Sequence, residues 1–332
     1  MGSKNPGVWP IPAGTRDFLP GEAKKRRMLE NRLAELFEAQ GFEEVITPTL
    51  EFFETMAVEI GEELENQLYR LFDRDGRLLV LRPDMTTPIA RLVATRMRHQ
   101  RLPLRLFYLA NVFRYESPQA GRMREFGQAG IELIGQRESS ADAEVIALAV
   151  NALRCSGLED FQLSLGQIPV FNSIIEEVKL SESAVRIIKA AIARKDLVGL
   201  EQALDQHRVT SAQKELILEL SDLQGGREII GKARAMVHSS YARENLDQLE
   251  ETFAHLSDLG VEDAVQLDLG LLRGFDYYTG IVFEGYTTDL GFTICGGGRY
   301  DNLLGKFGFP CPAIGFALGL DRLLLALSNR VK

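Results

Sequence analysis

The stretch FRYESPQAGRMREFGQAGIE (residues 113–132) decides the fold of this chain. An apolar run, residues 104–112, leads into it, and an alternating apolar run, residues 131–134, ends it, so the pattern predicts strand, loop and strand. Arginines held by strands present rigid forks that fit phosphate or carboxylate groups. From composition alone, an exposed charged hairpin is an equal alternative. Three arginines fall in and beside the predicted loop: Arg114, Arg122 and Arg124.

Length and composition are typical of an ordinary globular protein, with 332 residues of which 45% are hydrophobic and 26% charged. Such a chain can bury a full core and hold one large domain or two. It has no uninterrupted apolar stretch of about 18 residues and no signal-like N-terminus, so we expect no membrane association and a cytoplasmic location. The three cysteines are odd in number and widely spaced, which argues against a disulfide framework or a zinc site: Cys155, Cys295 and Cys311.

The net charge of −9 supplies no positive argument for nucleic-acid binding. A basic run at residues 24–27 lies within an amphipathic helix predicted over residues 22–40, and we expect it to form the solvated face of that helix. A capping box at Ser139–Asp142 predicts the start of a second helix that reaches about Leu153. Strand patterns cover residues 45–47, 78–81, 104–113, 131–134 and 161–165.

From about residue 170 to 258 the pattern is helical, without convincing strands, and strand patterns then return. Strands that pair across a long helical segment predict an α+β fold, an antiparallel sheet flanked by helices. We therefore expect a discontinuous core of residues 9–169 and 259–328 with a helical insertion at residues 170–258. The later strand patterns cover residues 265–272, 281–286 and 292–295, and a strand runs into a helix over residues 314–327.

Six segments in order resemble the motifs of the class II aminoacyl-tRNA synthetases in their histidyl form. Residues 113–132 resemble motif 2, residues 41–51 motif 1 and residues 315–323 motif 3. The resemblance covers nearly the whole chain and implies the class II fold, a helical insertion, and a dimer interface built by motif 1. The other three segments resemble the amino-acid-binding loop and two histidine-specific motifs: residues 81–91, 272–280 and 296–301.

The resemblance implies a histidine site. Three of its residues match those that hold the α-amino group, and Glu132 and Tyr278 match those that hold the imidazole ring, which needs a partner at each nitrogen. From the residues alone, core packing of the tyrosines is an equal alternative. Arg273 matches an arginine at the α-phosphate of ATP, and the same fork also suits the carboxylate of free histidine. The full expected site is Asp84, Thr86, Arg114, Gln128, Glu132, Arg273, Tyr277 and Tyr278, with the amino group on Asp84, Thr86 and Gln128.

The resemblance also implies a remnant of a nucleotide site, in which Phe126 matches the aromatic residue that stacks on adenine. Arg114 and Arg322 match arginines that contact ATP. We expect no catalytic residue, no metal and no cofactor. The residues of this expected remnant are Arg122, Phe126 and Arg322.

The chain departs from the synthetase pattern in several places. It stops at Lys332, ten residues after Arg322, whereas an anticodon-binding domain needs roughly 100 residues. We therefore expect no such domain and no tRNA binding. Met85, Gly127 and Asp321 stand where the synthetases usually have a glycine, a larger residue such as histidine, and a glutamate.

Together these features resemble the regulatory subunits of ATP phosphoribosyltransferase, which are synthetase paralogues. That resemblance implies a non-catalytic subunit that binds the short-form catalytic subunit and confers feedback inhibition of histidine biosynthesis by L-histidine. It also implies a homodimer within a larger hetero-oligomer. The alternative is a histidyl-tRNA synthetase-like adenylating enzyme that lacks the anticodon-binding domain.

Overall fold

The computed structural model describes residues 9–58, 60–116, 123–207, 209–272, 277–287 and 290–329. Within these ranges a nine-stranded sheet runs in the order β1-β5-β6-β12-β11-β10-β7-β9-β8, and a small antiparallel sheet runs β2-β4-β3. The strands are β1 (Glu43–Glu44), β2 (Leu50–Phe52), β3 (Arg70–Phe72), β4 (Leu78–Leu81), β5 (Leu104–Phe113), β6 (Glu125–Ile134), β7 (Gln162–Gln167), β8 (Gln224–Gly225), β9 (Val265–Asp268), β10 (Ile281–Tyr286), β11 (Cys295–Arg299) and β12 (Ala313–Gly319).

Helices surround both sheets, and a short π-helix, Val93–Met97, continues α4. A turn of 3-10 helix, Glu262–Ala264, precedes β9. The α-helices are α1 (Pro20–Ala39), α2 (Phe53–Met56), α3 (Glu62–Glu65), α4 (Thr86–Leu92), α5 (Ser139–Cys155), α6 (Ile168–Val178), α7 (Glu182–Ala193), α8 (Leu197–Gln206), α9 (Ser211–Asp222), α10 (Glu228–Met236), α11 (Ser240–Asp258), α12 (Leu303–Lys306) and α13 (Leu320–Asn329).

The large sheet is mixed, whereas the sequence predicted an antiparallel one. Most neighbouring strands are antiparallel, but β1 pairs with β5, and β7 with β9, in parallel. Parallel neighbours require a long crossover. Helices α6 to α11 supply that crossover between β7 and β9. The α+β class is as predicted, and the two parallel pairs follow from connections that strand patterns do not reveal.

The two faces of the nine-stranded sheet carry different side chains because neighbouring residues on a strand point to opposite faces. One face is covered by helices and is called the helical face. There α1, α5 and α13 pack against β5, β6 and β12. Phe107 of β5 lies there, with its ring centroid 5.7 Å from that of Phe37. On the other, here the pocket face, Tyr108 joins a separate buried cluster with Met85, Ile89 and Tyr300.

Several predicted elements shift or change. The strand predicted at residues 45–47 is wrong, since β1 lies just before them and ends at Glu44. The capping box is wrong: Glu138 is the N-cap of α5 and its side chain makes no capping bond. Ser139 is the first helical residue, and its hydroxyl donates instead to Oε2 of Glu251 at 3.0 Å.

The segment between β7 and β9 is helical apart from β8, a strand that the sequence did not predict. The bounds of a separate insertion, residues 170–258, stay a prediction. The basic run in α1 is only partly on a solvated face, since Arg26 turns inward and donates to Oδ1 of Asn111 at 2.7 Å. Among the described residues, no helix is both long and apolar enough to cross a bilayer.

Candidate functional site: a buried carboxyl and tyrosine pocket

Glu132 lies at the centre of the pocket face, above a floor of glycines. In register across the sheet, Glu132 of β6 pairs with Gly315 of β12, and Gly315 pairs with Gly298 of β11. Paired residues share a face, and a Cβ at position 315 would collide with Oε2 of Glu132. A Cβ at position 298 would lie 2.9 Å from the ring of Tyr278. The glycines therefore make room for two of the predicted histidine-binding side chains.

Both carboxyl oxygens of Glu132 accept hydrogen bonds. Oγ1 of Thr86 donates to Oε1 at 2.7 Å, and the hydroxyl of Tyr300 donates to Oε2. The residue is only 1% exposed, and this desolvation raises the pKa of Glu132 to about 8, although both hydrogen bonds act in the opposite direction. Burial therefore favours the protonated form of this carboxyl far more than in an exposed glutamate.

Three tyrosines line the pocket beside this carboxyl. The ring centroids of Tyr277 and Tyr278 lie 5.0 Å apart, and those of Tyr277 and Tyr300 lie 5.7 Å apart, both in edge-to-face geometry. Burial raises the pKa of each phenol above its usual value. The three hydroxyls therefore stay protonated and are able to donate.

A second buried carboxyl, Asp84, stands at the entry to α4. Its Oδ1 accepts from the backbone N–H of Thr87 at 3.0 Å. Desolvation raises the pKa of Asp84, while that hydrogen bond and the charge of Arg114 lower it. Nε of Arg114 donates to the carbonyl of Pro83 at 2.9 Å, and its guanidinium lies 5.4 Å from the ring centroid of Phe126. Arg114 thus lies between the Asp84 loop and the predicted nucleotide-stacking residue.

Gln128 shares the pocket face with Glu132, because the two residues are four positions apart on β6. It pairs in register with Ala110 and Gly319, two small residues that leave space above the strand. Its buried Oε1 accepts no hydrogen bond from the residues that the structure describes. A buried acceptor of this kind favours a donor supplied by a ligand.

The expected nucleotide remnant lies at the end of β6 nearer the hairpin loop. Phe126 and Arg322 line one cavity of about 260 Å³, with Met123 and Leu325. Arg322 is held by its own contacts: Nη1 donates to the carbonyl of Thr293 at 2.7 Å, and the guanidinium lies 5.2 Å from the Phe292 ring. Arg122 and Arg273, predicted for the nucleotide and histidine sites, lie outside the described residues.

Sequence reasoning missed two residues. Tyr300, which bonds Glu132, was inside a quoted motif, and strand alternation with its neighbour could have revealed it. That neighbour, Arg299, points to the helical face, where Nε and Nη2 donate to Oδ1 of Asp142 at 2.9 and 2.5 Å. Its Nη1 also donates to Asp301 at 3.1 Å. This buried pair ties β11 to the start of α5 and so holds the backbone beside Tyr300.

Fold and site together define a class II aminoacyl-tRNA synthetase-like core. The family model described as histidyl-tRNA synthetase matches residues 14–323. The chain belongs to the histidyl-tRNA synthetase family and, within it, to the family of ATP phosphoribosyltransferase regulatory subunits.

Three relatives illustrate this membership. The ATP phosphoribosyltransferase regulatory subunit of Moorella thermoacetica is 52% identical over 316 residues, which cover 95% of this chain and 81% of that protein. Its counterpart from Desulforamulus reducens is 48% identical over 317 residues, or 95% of this chain and 78% of that one. A crystal structure from Bacillus halodurans, titled an ATP phosphoribosyltransferase regulatory subunit/histidyl-tRNA synthetase, superposes with a TM-score of 0.91 at 37% identity and covers 97% of this chain and 84% of its own.

Proposed function

We propose that this chain is the regulatory subunit of an ATP phosphoribosyltransferase and that L-histidine, bound in the pocket around Glu132, is its feedback inhibitor. The names of its relatives support the first part. In this proposal the chain carries out no chemistry itself. It binds the short-form catalytic subunit in the cytoplasm and supports the first step of histidine biosynthesis.

The arrangement of Glu132, Gln128 and Asp84 on one face of the sheet carries the histidine proposal. The imidazole ring needs a partner at each nitrogen, and Glu132 with Tyr278 supplies an acidic and a phenolic group. Gln128 offers a buried oxygen, and Asp84 a buried carboxyl, to an ammonium group. A pocket of this composition favours a small molecule that carries an ammonium group and a polar ring, and histidine carries both.

Feedback inhibition requires that histidine prefer one state of the complex over another. The coupling between two sites typically amounts to about 1–3 kcal/mol, and any effect of histidine on the binding of the catalytic subunit is matched by an equal effect of that subunit on the binding of histidine. Thr86 at the start of α4 and Tyr300 just before α12 both bond Glu132. We infer that histidine, by engaging Glu132, rearranges these two bonds and so shifts the elements that carry them.

The test measures phosphoribosyl-ATP formation by the short-form catalytic subunit, with and without this chain, at rising histidine. Activation by the chain together with inhibition by histidine supports the proposal. No activation would overturn the regulatory function. Glu132→Gln keeps the shape of the side chain and removes its acid, so we expect activation to persist and inhibition to require at least tenfold more histidine.

A matched control separates the pocket from the rest of the surface. Glu251→Gln changes an exposed carboxyl on α11 and should leave inhibition unchanged. Unaltered inhibition in Glu132→Gln would place the histidine sensor elsewhere in the complex.

The cavity beside Phe126 and Arg322 supports a second proposal, that an adenine nucleotide still binds at the synthetase-like position. Arg114 would then face its phosphates, while Arg122, which lies outside the described residues, stays a candidate from the resemblance alone. Exchange of pyrophosphate into ATP in the presence of histidine discriminates this binding remnant from an adenylating enzyme. We expect no exchange, and detectable exchange would favour the adenylating alternative.

We further propose that the chain forms a homodimer within a larger hetero-oligomer. Apolar side chains on and beside the small sheet are exposed, with Ile46 84% and Phe72 73% accessible. Ile46 lies within the segment that resembles motif 1, and Phe72 lies on β3 of the small sheet. Sedimentation analysis of the chain alone and with the catalytic subunit tests this, and a monomer at micromolar concentration would contradict it.

A further inference from the structure

Two positions that depart from the synthetase pattern, Gly127 and Asp321, contact each other. Strand β12 ends at Gly319, which pairs with Gln128 of β6. The N–H of Gly127 therefore lies one residue beyond the last paired position. Oδ2 of Asp321, in the first turn of α13, accepts from it at 2.8 Å. A side chain thus continues the hydrogen bonding of the sheet where the strand has ended.

The side chain of Arg26, on α1, occupies the space that a side chain at position 127 would fill. A Cβ there would collide with Nη2 of Arg26 and lie 3.1 Å from Cδ1 of Leu320. Arg26 is held in this space by Oδ1 of Asn111 at 2.7 Å and by Oε1 of Glu30 at 2.9 Å. Gly127 therefore lies between a fixed guanidinium on one side and a fixed carboxylate on another.

A third contact comes from the N-terminal strap, defined here as residues 13–18. The carbonyl of Gly14 accepts from the backbone N–H of Arg124 at 2.7 Å, so the strap lies against the start of β6. Nη2 of Arg16 lies 3.7 Å from Oδ1 of Asp321, and its guanidinium lies 4.0 Å from the ring centroid of Phe18. Asp321 therefore contacts both the strap and β6.

We propose that Asp321, supported by Arg16 and Arg26, is a positioning residue that fixes the segment Phe126–Gln128 and thereby places the Gln128 amide for the α-amino group of histidine. The inference rests on the proposed histidine site and extends it across the sheet. Gln128 is the next residue after Gly127, so a displacement of the Gly127 backbone moves the amide directly. A polar contact weakens steeply when its geometry is lost, which makes such support necessary for recognition.

The experiment uses two ligands that differ in one group. L-histidine carries the α-amino group, whereas 3-(imidazol-4-yl)propionate lacks it and keeps the ring and carboxylate. Binding of each to the full chain is measured by calorimetry. For Asp321→Ala we expect about a tenfold loss of affinity for histidine and no change for the propionate, because only the amino-group contact depends on Gln128.

A double-variant cycle adds a readout that a purely structural role would not change. Gln128→Ala should show the same selective loss, and Asp321→Ala combined with it should lose no more. Asp321→Asn retains an oxygen for the Gly127 N–H, so we expect it to bind histidine almost as the natural chain does. Lys25→Gln is the control, because Lys25 lies one residue from Arg26 and is exposed on α1.

Equal losses for both ligands, or additive losses in the cycle, would overturn the inference. Should Asp321→Ala not fold, Arg16→Gln provides the test, with a smaller loss expected in the same ligand-selective pattern. The failure of the underlying proposal has a different signature: Gln128→Ala and Glu132→Gln would both leave histidine binding unchanged.

Discussion

The two faces of the nine-stranded sheet are built on different principles. On the helical face, aliphatic and aromatic side chains of the sheet pack against α1, α5 and α13. On the pocket face, tyrosines, two buried carboxyls and glycines share a smaller cluster. Burial of apolar surface stabilises the folded chain, whereas burial of a carboxyl opposes it. One face therefore holds the fold together, and the other keeps ionisable groups buried around the proposed histidine site.

Neighbouring residues of the same strand contribute to opposite faces of the sheet. On β5, Phe107 packs into the helical face and Tyr108 into the pocket face. At the end of β11, Arg299 bonds Asp142 on the helical side and Tyr300 bonds Glu132 on the other. Substitutions of neighbouring residues should therefore have opposite consequences for stability and for ligand binding.

The largest expected effect is on the helical face. Phe107→Ala removes a fully buried ring and should lower the free energy of unfolding by about 3–5 kcal/mol. Histidine affinity of the folded fraction should change little, because the pocket lies across the sheet. Urea denaturation and calorimetry measure the two quantities. Tyr241→Ala, at an exposed aromatic on α11, is the control. A loss of histidine affinity in Phe107→Ala without a loss in the free energy of unfolding would contradict the division between faces.

Glu132→Gln, on the pocket face, should raise the free energy of unfolding at alkaline pH rather than lower it. The pKa of Glu132 is about 8 in the folded chain, above its ordinary value of 4.5, so the folded state retains a proton that the unfolded state has released between these values. The free energy of unfolding of the natural chain therefore falls as pH rises from about 4.5 to 8. The variant lacks this term and should be more stable at pH 8.5, by on the order of a few kcal/mol. A free energy of unfolding that varies with pH in the same way in the natural chain and in Glu132→Gln would contradict this expectation.

Tyr300→Phe should have a smaller effect. It removes the hydroxyl that donates to Oε2 of Glu132. Because this bond lowers the pKa of Glu132, that pKa should be higher still in the variant. We expect a loss of about 1 kcal/mol in stability at alkaline pH and less at pH 5, where the carboxyl is protonated in either protein. Thermal unfolding across pH measures this, with exposed Tyr241→Phe as the matched control. A loss independent of pH would indicate packing alone.

The smallest effect is expected at the start of α5. Ser139→Ala should change the free energy of unfolding by less than about 0.5 kcal/mol, because the exposed hydroxyl bonds Glu251 and caps no helix. A true N-cap serine would cost about 1 kcal/mol when replaced. Ser181, whose side chain accepts from the N–H of Ala184, is such a cap, and Ser181→Ala provides the comparison. Equal losses at both serines would restore the capping-box interpretation.

Local patterns predicted much of the fold. The strands β4, β5 and β10 occupy the predicted residues, because alternation and apolar runs are properties of the strand itself. The helical pattern predicted from about residue 170 covers most of α6, which begins at Ile168 with Pro169 within its first turn, a position that proline tolerates. The sequence did not predict β8, whose two residues form a strand only because β9 lies beside them. Arg26 turns inward to bond Asn111, which lies 85 residues further along the chain, so a local pattern does not reveal this contact.

The sequence by itself determined the motifs, their order, the α+β class and the identity of the side chains expected around histidine, because these depend on residue type and local periodicity. Only the tertiary structure decided that Thr86 and Tyr300 bond Glu132, that glycines of β11 and β12 make room for the pocket, and that Asp321 meets Gly127. These contacts join residues far apart in the chain. Register across the sheet brings them together, and burial then sets the protonation of the carboxyl that they surround.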